Sequence, residues 1–318
     1  MEHRALGKSG LQVSLVGLGC NNFGMRIDAE QSRAVVHRAL EEGVTLFDTA
    51  DIYGGRGKSE EILGPALGER RKDVIVATKF GMPMGDSPYL RGGSRRYIMN
   101  ALEASLRRLA TDYIDLYQIH QPDPATPQEE TLETLDSLVR AGKVRYIGCS
   151  NFAGWQLADA IGISRARGYT PYISAQNLYN LLDRRVEREL VPACEHYGVG
   201  ILPYFPLASG FLTGKYRRGA EPPQGTRLAL MRSMADRVLT PANFAALEGL
   251  AEFARARGHS MVELATSWLA AQPQVSSVIS GATSPEQVSE NVKAAGWKFS
   301  ADELGEINQL TEHRPAAT

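Results

Sequence analysis

Short apolar runs alternate along the chain with longer segments whose apolar residues recur at helical spacing. Eight runs rich in apolar and β-branched residues span 16–19, 45–48, 74–78, 113–119, 144–148, 173–176, 201–204 and 278–280. Because each run is followed by at least one helical segment, the pattern predicts parallel strands joined by crossover helices. Eight such units favour a closed barrel over an open sheet. The predicted fold class is therefore α/β, a (β/α)₈ TIM barrel.

Two segments lie outside this eightfold alternation. Residues 4–6 and 11–14 flank Gly7-Lys8-Ser9-Gly10, and they predict a β-hairpin that covers the bottom of the barrel. Residues 208–240 are rich in glycine, proline and basic side chains, and they predict a long loop, which in most proteins is either functional or disordered. No linker divides the chain, so residues 1–318 are expected to form one domain.

Composition narrows the possible partners. The 318 residues carry a net charge of −1, which predicts neither a nucleic-acid partner nor an anionic membrane partner. The three cysteines, Cys20, Cys149 and Cys194, predict reduced thiols and a cytoplasmic location. The polar N-terminus does not resemble a secretory signal, and no apolar run is long enough to span a bilayer. The histidines other than His120 show no ligand spacing, so no metal site is predicted.

Four side chains suited to acid–base chemistry follow the second, third and fourth predicted strands: Asp48, Tyr53, Lys79 and His120. In a (β/α)₈ barrel the carboxyl ends of the strands share one face, where the active site lies. A free tyrosine titrates near pH 10, and a nearby ammonium group lowers that pKa. A carboxylate keeps a buried lysine charged, and a histidine can orient a substrate oxygen. Together they predict a general-acid network for a carbonyl that accepts hydride.

Each of these residues also has a simpler explanation when it is taken singly. Lys79 could be half of a core ion pair or a Schiff-base residue, and Asp48 or His120 could satisfy backbone groups. The arrival of all four at successive strand ends favours the catalytic interpretation.

The segment Phe47-Asp48-Thr49-Ala50-Asp51-Ile52-Tyr53-Gly54 resembles the signature of the aldo-keto reductases, and Lys79 and His120 fall at that family's spacing. The resemblance covers nearly the whole chain. It is closest to a bacterial branch that also resembles the β subunits of voltage-gated potassium channels. It implies a (β/α)₈ barrel that uses NADP(H) to reduce aldehydes and ketones. By this match Tyr53 is the acid, Asp48 and Lys79 tune it, and His120 orients the carbonyl.

The resemblance also implies an extended cofactor site along the later strand ends. Ser150, Asn151 and Gln176 would bond the nicotinamide carboxamide, although Ser and Asn after a strand are also common helix N-caps. Tyr204 would stack on the nicotinamide, unless it is a core aromatic residue. The implied set is Gly19, Cys20, Asn21, Asp48, Ser150, Asn151, Gln176, Tyr204, Phe205, Pro206, Leu207, Ala208, Ser209, Lys215, Arg227, Gly281, Thr283, Gln287, Glu290 and Asn291.

Selection of NADPH requires a group that binds its 2′-phosphate. Related sequences often carry Arg or Lys at the helix start after the eighth strand, where this chain has the neutral residues Thr283 and Ser284. The nearest candidate cation is Arg227, which predicts a modest preference for NADPH with NADH still usable. Alternatively, Arg227 is a solvated surface residue.

The partner is expected to be a small carbonyl compound. Its pocket residues are predicted to be Asn22, Phe23, Tyr53, Tyr89, His120 and Phe205, with residues 82–97 nearby. Aromatic residues there suit aldehydes with an apolar body. Two other functions fit part of the pattern. One is a cofactor-binding sensor that resembles a potassium-channel β subunit. The other is a Schiff-base lyase that uses Lys79 and leaves Tyr53 and His120 unexplained.

Overall fold

Eight parallel strands form the centre of the computed structural model, which describes residues 1–312. The strands of the chain are β1 (His3–Ala5), β2 (Gln12–Ser14), β3 (Val16–Gly19), β4 (Leu46–Asp48), β5 (Ile75–Phe80), β6 (Ile114–Ile119), β7 (Val144–Ser150), β8 (Ser174–Gln176), β9 (Gly200–Ile201) and β10 (Val278–Gly281). Residues 313–318, including His313 and the end of the predicted domain, lie outside the described residues.

The order of the parallel sheet is β10-β3-β4-β5-β6-β7-β8-β9. Parallel bridges from Ile201 to Val275 and from Tyr204 to Ile279 connect its two outer edges. The sheet therefore curls on itself, and the predicted (β/α)₈ barrel is confirmed.

Helices follow the strands and cover the outside of the barrel. They are α1 (Ala29–Glu41), α2 (Tyr53–Arg56), α3 (Lys58–Leu67), α4 (Arg95–Arg108), α5 (Gln128–Arg140), α6 (Gly154–Arg167), α7 (Leu190–Tyr197), α8 (Arg227–Leu230), α9 (Arg232–Val238), α10 (Pro241–Ala256), α11 (Met261–Ala270), α12 (Pro285–Lys293) and α13 (Ala301–Glu312). On α4, for example, Ile98, Leu102 and Leu106 form the buried face, as their helical spacing predicts. Among residues 1–312, no helix is both long and apolar enough to cross a membrane.

The hairpin of β1 and β2 closes the N-terminal end of the barrel. The two strands pair antiparallel, and Leu6 and Val13 are fully buried. They pack inside the barrel with Leu46 of β4, Leu116 of β6 and Leu202, which follows β9. The predicted hairpin is confirmed, and apolar side chains fill the barrel below the site.

Strand positions agree with the prediction to within a few residues. The largest difference is at β9, which ends at Ile201 although the apolar run continues to residue 204. Pro203 has no amide hydrogen to donate to a ladder, so the regular pairing stops before it. Tyr204 is still held beside β8 and β10, because its amide donates to the Asn177 carbonyl and it forms a bridge to Ile279.

Residues 208–240 are more structured than the predicted loop. A 3₁₀ helix spans Ala208–Thr213, and α8 and α9 follow. Phe211 and Leu228 are buried, and Phe211 packs edge-to-face on Phe244 with ring centroids 5.0 Å apart. Apolar anchors therefore hold this region, here called the late segment, against the barrel, and the glycines and prolines lie between those anchors.

Candidate active site

Asp48, Tyr53, Lys79 and His120 meet at the carboxyl ends of β4, β5 and β6, as the sequence predicts. The fully buried Nζ of Lys79 donates to Asp48 Oδ2 at 2.7 Å and to the Thr49 carbonyl at 2.9 Å. It also lies 3.4 Å from Tyr53 Oη. The ring of His120 stands edge-on to that of Tyr53, with centroids 5.6 Å apart. A cation thus directly contacts the phenol hydroxyl.

A tight turn fixes Tyr53 in this place. Gly54, the next residue, has φ +69°, which a residue with a side chain rarely adopts. A Cβ atom on Gly54 would meet the Phe23 carbonyl at 2.6 Å and the Ser59 amide at 2.8 Å. The Tyr-Gly pair of the motif is therefore needed for the backbone to turn immediately after the phenol.

Both carboxylate oxygens of Asp48 are engaged. Lys79 occupies Oδ2, and Gln176 Nε2 donates to Oδ1 at 2.8 Å. Gln176 was predicted as a nicotinamide ligand. In this structure its amide nitrogen holds Asp48, and its side chain still borders the cavity described below.

Burial dominates the protonation of the cluster. Burial raises the pKa of Tyr53. Lys79 lowers that pKa, as the sequence predicts, but its effect is smaller than that of burial. Burial would lower the pKa of Lys79, but Asp48 and Tyr53 outweigh it and raise that pKa. Burial and then Lys79 lower the pKa of His120 to about 3. At neutral pH the phenol is protonated, the lysine is charged and the imidazole is neutral.

Asn151 links His120 to the later strands. Its Nδ2 donates to the His120 carbonyl at 2.9 Å, and its Oδ1 accepts from Tyr204 Oη at 2.8 Å. The Nδ1 of His120 is buried and has no hydrogen-bond partner within residues 1–312. His120 also lines the cavity described below, where a neutral imidazole can donate or accept a hydrogen bond.

A cavity of about 420 Å³ extends from Tyr53 and His120 to the start of α12. Most of the predicted cofactor residues line it. They are Gly19, Asn21, Asp48, Ser150, Asn151, Gln176, Tyr204, Phe205, Pro206, Leu207, Ser209, Lys215, Arg227, Gly281, Thr283, Gln287, Glu290 and Asn291. Of the predicted substrate residues, Asn22, Tyr53, His120 and Phe205 line it as well.

Four predicted residues do not line this cavity. Cys20, Phe23 and Ala208 are buried against apolar neighbours, because each belongs to the hydrophobic core. Tyr89 is 59% exposed in the region between β5 and α4, where its ring packs against Arg96. The structure places these four residues outside the cavity wall, and their contacts with cofactor or substrate stay predictions.

Several residues of the cavity wall were not predicted from the sequence: Arg26, Gly210, Thr213, Val262, Ile279 and Ser280. Arg26 matters most, because it is charged and its guanidinium donates to the Gly225 carbonyl of the late segment at 2.9 Å. The available signal was a lone cation in the loop after β3, which matches no motif.

Arg26, Lys215 and Arg227 place three positive charges on the cavity wall, and none of them has a carboxylate partner within residues 1–312. Burial and then the charge of Arg26 lower the pKa values of Lys215 and Arg227. Arg227 is half-buried and lies 4.8 Å from the Phe205 ring centroid, so it is not a solvated surface residue. Unpaired cations around a cavity suit an anionic ligand.

The far end of the cavity is the N-terminus of α12. Ser284 caps the helix by accepting from the Gln287 amide, and Gln287 Oε1 accepts from the amide of Thr283 at 2.8 Å. The neutral residues that the sequence places here, Thr283 and Ser284, thus already form hydrogen bonds with Gln287. Within the described part of the chain, no cluster of three or more His, Cys, Asp or Glu side chains is arranged for a metal ion.

Comparisons with known proteins agree with this arrangement. The sequence model of the Aldo/keto reductase family matches residues 15–312. An L-glyceraldehyde 3-phosphate reductase of Escherichia coli (strain K12) is 38% identical, over 97% of this chain and 92% of that protein. A probable voltage-gated potassium channel subunit beta of Oryza sativa subsp. japonica is 38% identical, over 92% and 91%. A versiconal hemiacetal acetate reductase of Aspergillus parasiticus is 34% identical, over 96% and 95%.

Proposed function

Because the chain belongs to the aldo/keto reductase family, we propose that it reduces aldehydes or ketones to alcohols with NADPH, and that Tyr53 donates the proton. The observation that supports this most directly is the contact of Lys79 Nζ with both Asp48 and Tyr53 at the end of a long cavity. The reductase names of two relatives support the same class of reaction.

The residues present fit a nicotinamide dinucleotide. Arg26, Lys215 and Arg227, which have no carboxylate partner in the part of the chain that the structure describes, suit its phosphates. Ser150 and Asn151 border the cavity at the Tyr53 end and would hold the carboxamide. When bound, the reduced nicotinamide supplies the hydride for the carbonyl carbon.

The protein's own side chains transfer one proton in this reaction. Tyr53 Oη donates its proton to the carbonyl oxygen, and the positive charge of Lys79 stabilises the phenolate that remains. Asp48 keeps Lys79 charged and in place. Neutral His120 donates a hydrogen bond from its ring N–H to the same oxygen. It does not act as the acid, because its pKa of about 3 leaves the imidazole without a second proton at neutral pH. Solvent then reprotonates Tyr53.

We assign the preference for NADPH to Arg227. Its guanidinium reaches Asn22, whose amide lies 3.3 Å from the position of a Cβ atom on Gly281, two residues before Thr283. The cation therefore lies near the start of α12, where the helix itself carries no positive side chain. With one such cation the preference is modest.

We place the reaction in the cytoplasm, where the three buried free cysteines would remain reduced.

The test is a Tyr53→Phe variant. NADPH consumption is first measured for the wild type against a panel of aldehydes, ketones and sugars, with L-glyceraldehyde 3-phosphate included. Loss of the general acid should lower turnover by roughly 10²–10⁴-fold. Cofactor affinity, measured by fluorescence titration, should stay within about twofold, because the ring remains. Turnover above about a tenth of wild type would show that Tyr53 is not the acid.

The matched control is Tyr172→Phe. The hydroxyl of Tyr172 is also buried, it has no hydrogen-bond partner in the described residues, and it does not line the cavity. Its removal should leave turnover unchanged.

A second candidate is supported by the similarity to potassium-channel β subunits. A protein of that kind would bind the cofactor tightly and use it as a signal. Tight NADPH binding by a well-folded wild type, with no turnover on any compound of the panel, would favour this function.

A further inference from the structure

Asp51 is a buried carboxyl group that the proposed chemistry does not use. It lies between Asp48 and Tyr53 in the sequence and is 1% exposed. Its Oδ2 accepts from Tyr97 Oη at 2.9 Å, and its Oδ1 has no hydrogen-bond partner within residues 1–312. Burial of a carboxyl group with incomplete hydrogen bonding is unfavourable. Stability alone therefore does not account for this residue.

Asp51 connects three parts of the site. Its amide donates to the Lys79 carbonyl at 3.0 Å, which joins residues 48–53 to β5. Its carboxyl reaches Tyr97 on α4, a residue that is 3% exposed. The Tyr97 hydroxyl also lies 3.5 Å from the Met82 carbonyl, just beyond β5. The backbone that carries Tyr53 is thus held on one side by the strand of Lys79 and on the other by a helix.

The hydrogen bond from Tyr97 to Asp51 does not depend on the charge of Asp51 near neutral pH. Burial raises its pKa to about 7, Glu60 adds to the rise, and Tyr97 and Arg108 oppose it. Glu60, which is buried, forms an ion pair with the partly buried Arg108. Protonated or ionised, Asp51 keeps an oxygen that accepts from Tyr97. The contact can therefore act through position and not through charge.

We propose that Asp51 and Tyr97 form a positioning pair that holds residues 48–53 against β5, so that Tyr53 Oη stays within reach of Lys79 Nζ. This inference rests on the proposed reductase function. Neither residue touches the reacting atoms in this scheme. The pair sets the distance between the acid and the cation that stabilises its phenolate.

Four variants separate position from packing. Tyr97→Phe and Asp51→Leu remove the hydrogen bond, whereas Asp51→Asn keeps an oxygen that can accept it. Tyr117→Phe is the control, because that buried hydroxyl lies close to Asp51 but has no hydrogen-bond partner in the described residues. We expect kcat to fall at least tenfold in Tyr97→Phe and Asp51→Leu, with KM and NADPH affinity within about twofold. Asp51→Asn should keep kcat within about threefold, and Tyr117→Phe within about twofold.

Amide hydrogen exchange of residues 48–54 gives a second measurement that needs no turnover. The amides of Asp51 and Tyr53 should exchange faster in Tyr97→Phe and Asp51→Leu than in wild type, Asp51→Asn and Tyr117→Phe. The proposal would be overturned if Tyr97→Phe kept the wild-type kcat and amide exchange rates. It would also be overturned if Tyr97→Phe and Tyr117→Phe lost kcat equally. If the wild type shows no turnover at all, the proposed function fails, and the exchange rates alone decide on the pair.

Discussion

Arg227 donates to Asn22 Oδ1 at 3.0 Å, and Asn22 in turn donates from its amide to the Ala282 carbonyl at 3.1 Å. One nearly buried side chain thus connects the late segment to the turn that precedes α12. Asn22 was predicted as a substrate residue. Although it does line the cavity, its polar bonds hold the Arg227 guanidinium beside the turn before α12.

This relationship makes Arg227 the first residue to test for cofactor choice. Charge-assisted bonds to a phosphate contribute roughly 1.5–3 kcal/mol each, or about one to two orders of magnitude in affinity. Arg227→Ala should weaken NADPH binding by about that factor and NADH binding much less, as measured by titration of both cofactors. Arg232→Ala, an exposed arginine of the same segment, is the control. An unchanged ratio of the two affinities would contradict the assignment.

Lys79→Met should both slow the reaction and move its pH profile. Reduction needs the protonated phenol, so the rate falls as pH rises through the Tyr53 pKa. Loss of the neighbouring cation raises that pKa further, and the alkaline limb should move to higher pH. An unmoved profile with lower amplitude would mean that Lys79 only holds the site together.

The same substitution has a consequence for stability. Without Lys79, the buried carboxylate of Asp48 loses its cation, and breaking a buried pair in this way costs about 3–5 kcal/mol. The double variant Asp48→Asn, Lys79→Met removes the stranded charge. In urea denaturation it should therefore be more stable than Lys79→Met alone, and equal stability would argue against a role for the Asp48–Lys79 ion pair in stability.

His120 should stay neutral far below the usual histidine range. Burial and the charge of Lys79 lower its pKa to about 3. In NMR spectra of the folded protein, the imidazole signals assigned by comparison with His120→Gln should not titrate between pH 5 and 8. A midpoint near 6.5, the ordinary histidine value, would show that water reaches the ring.

Asp51 should leave a signature in the pH dependence of stability. Its pKa rises from about 3.9 in the unfolded chain to about 7 in the folded protein. The folded state therefore holds an extra proton between these values, and stability falls as pH rises through this window by about 1.4 kcal/mol per pH unit. The difference in unfolding free energy between wild type and Asp51→Asn should show this slope, because other groups cancel. No slope from pH 4 to 7 would contradict the raised pKa.

The barrel could be predicted from the sequence because its signals are local. Each buried strand is a short apolar run, and each helix repeats its apolar residues at helical spacing, as Ile98, Leu102 and Leu106 do on α4. The short helices of the late segment escaped prediction for the opposite reason. They are held by separate anchors, such as Phe211 on Phe244, whose contact depends on distant parts of the chain.

The centre of the site was predictable because parallel strand ends converge, which brought Asp48, Lys79 and His120 together. No comparable rule predicts where the side chains of loop residues lie. Phe23 turns into the core, and Arg26, three positions later, reaches the cavity. The role inferred for Asp51 was equally hidden, since its partner Tyr97 is brought to it only by the packing of α4 on β5.

The hairpin at the foot of the barrel bears on the kinetic order of the reaction. Leu6 and Val13 fill the interior there, so within the described residues the barrel axis offers no passage through the molecule. Reactants and products must share the opening at the carboxyl ends of the strands. If the nicotinamide lies deepest, the cofactor has to arrive before the carbonyl compound, and the alcohol has to depart before the oxidised cofactor. Product inhibition should then show NADP⁺ competing with NADPH alone, while the alcohol competes with neither reactant for the free enzyme.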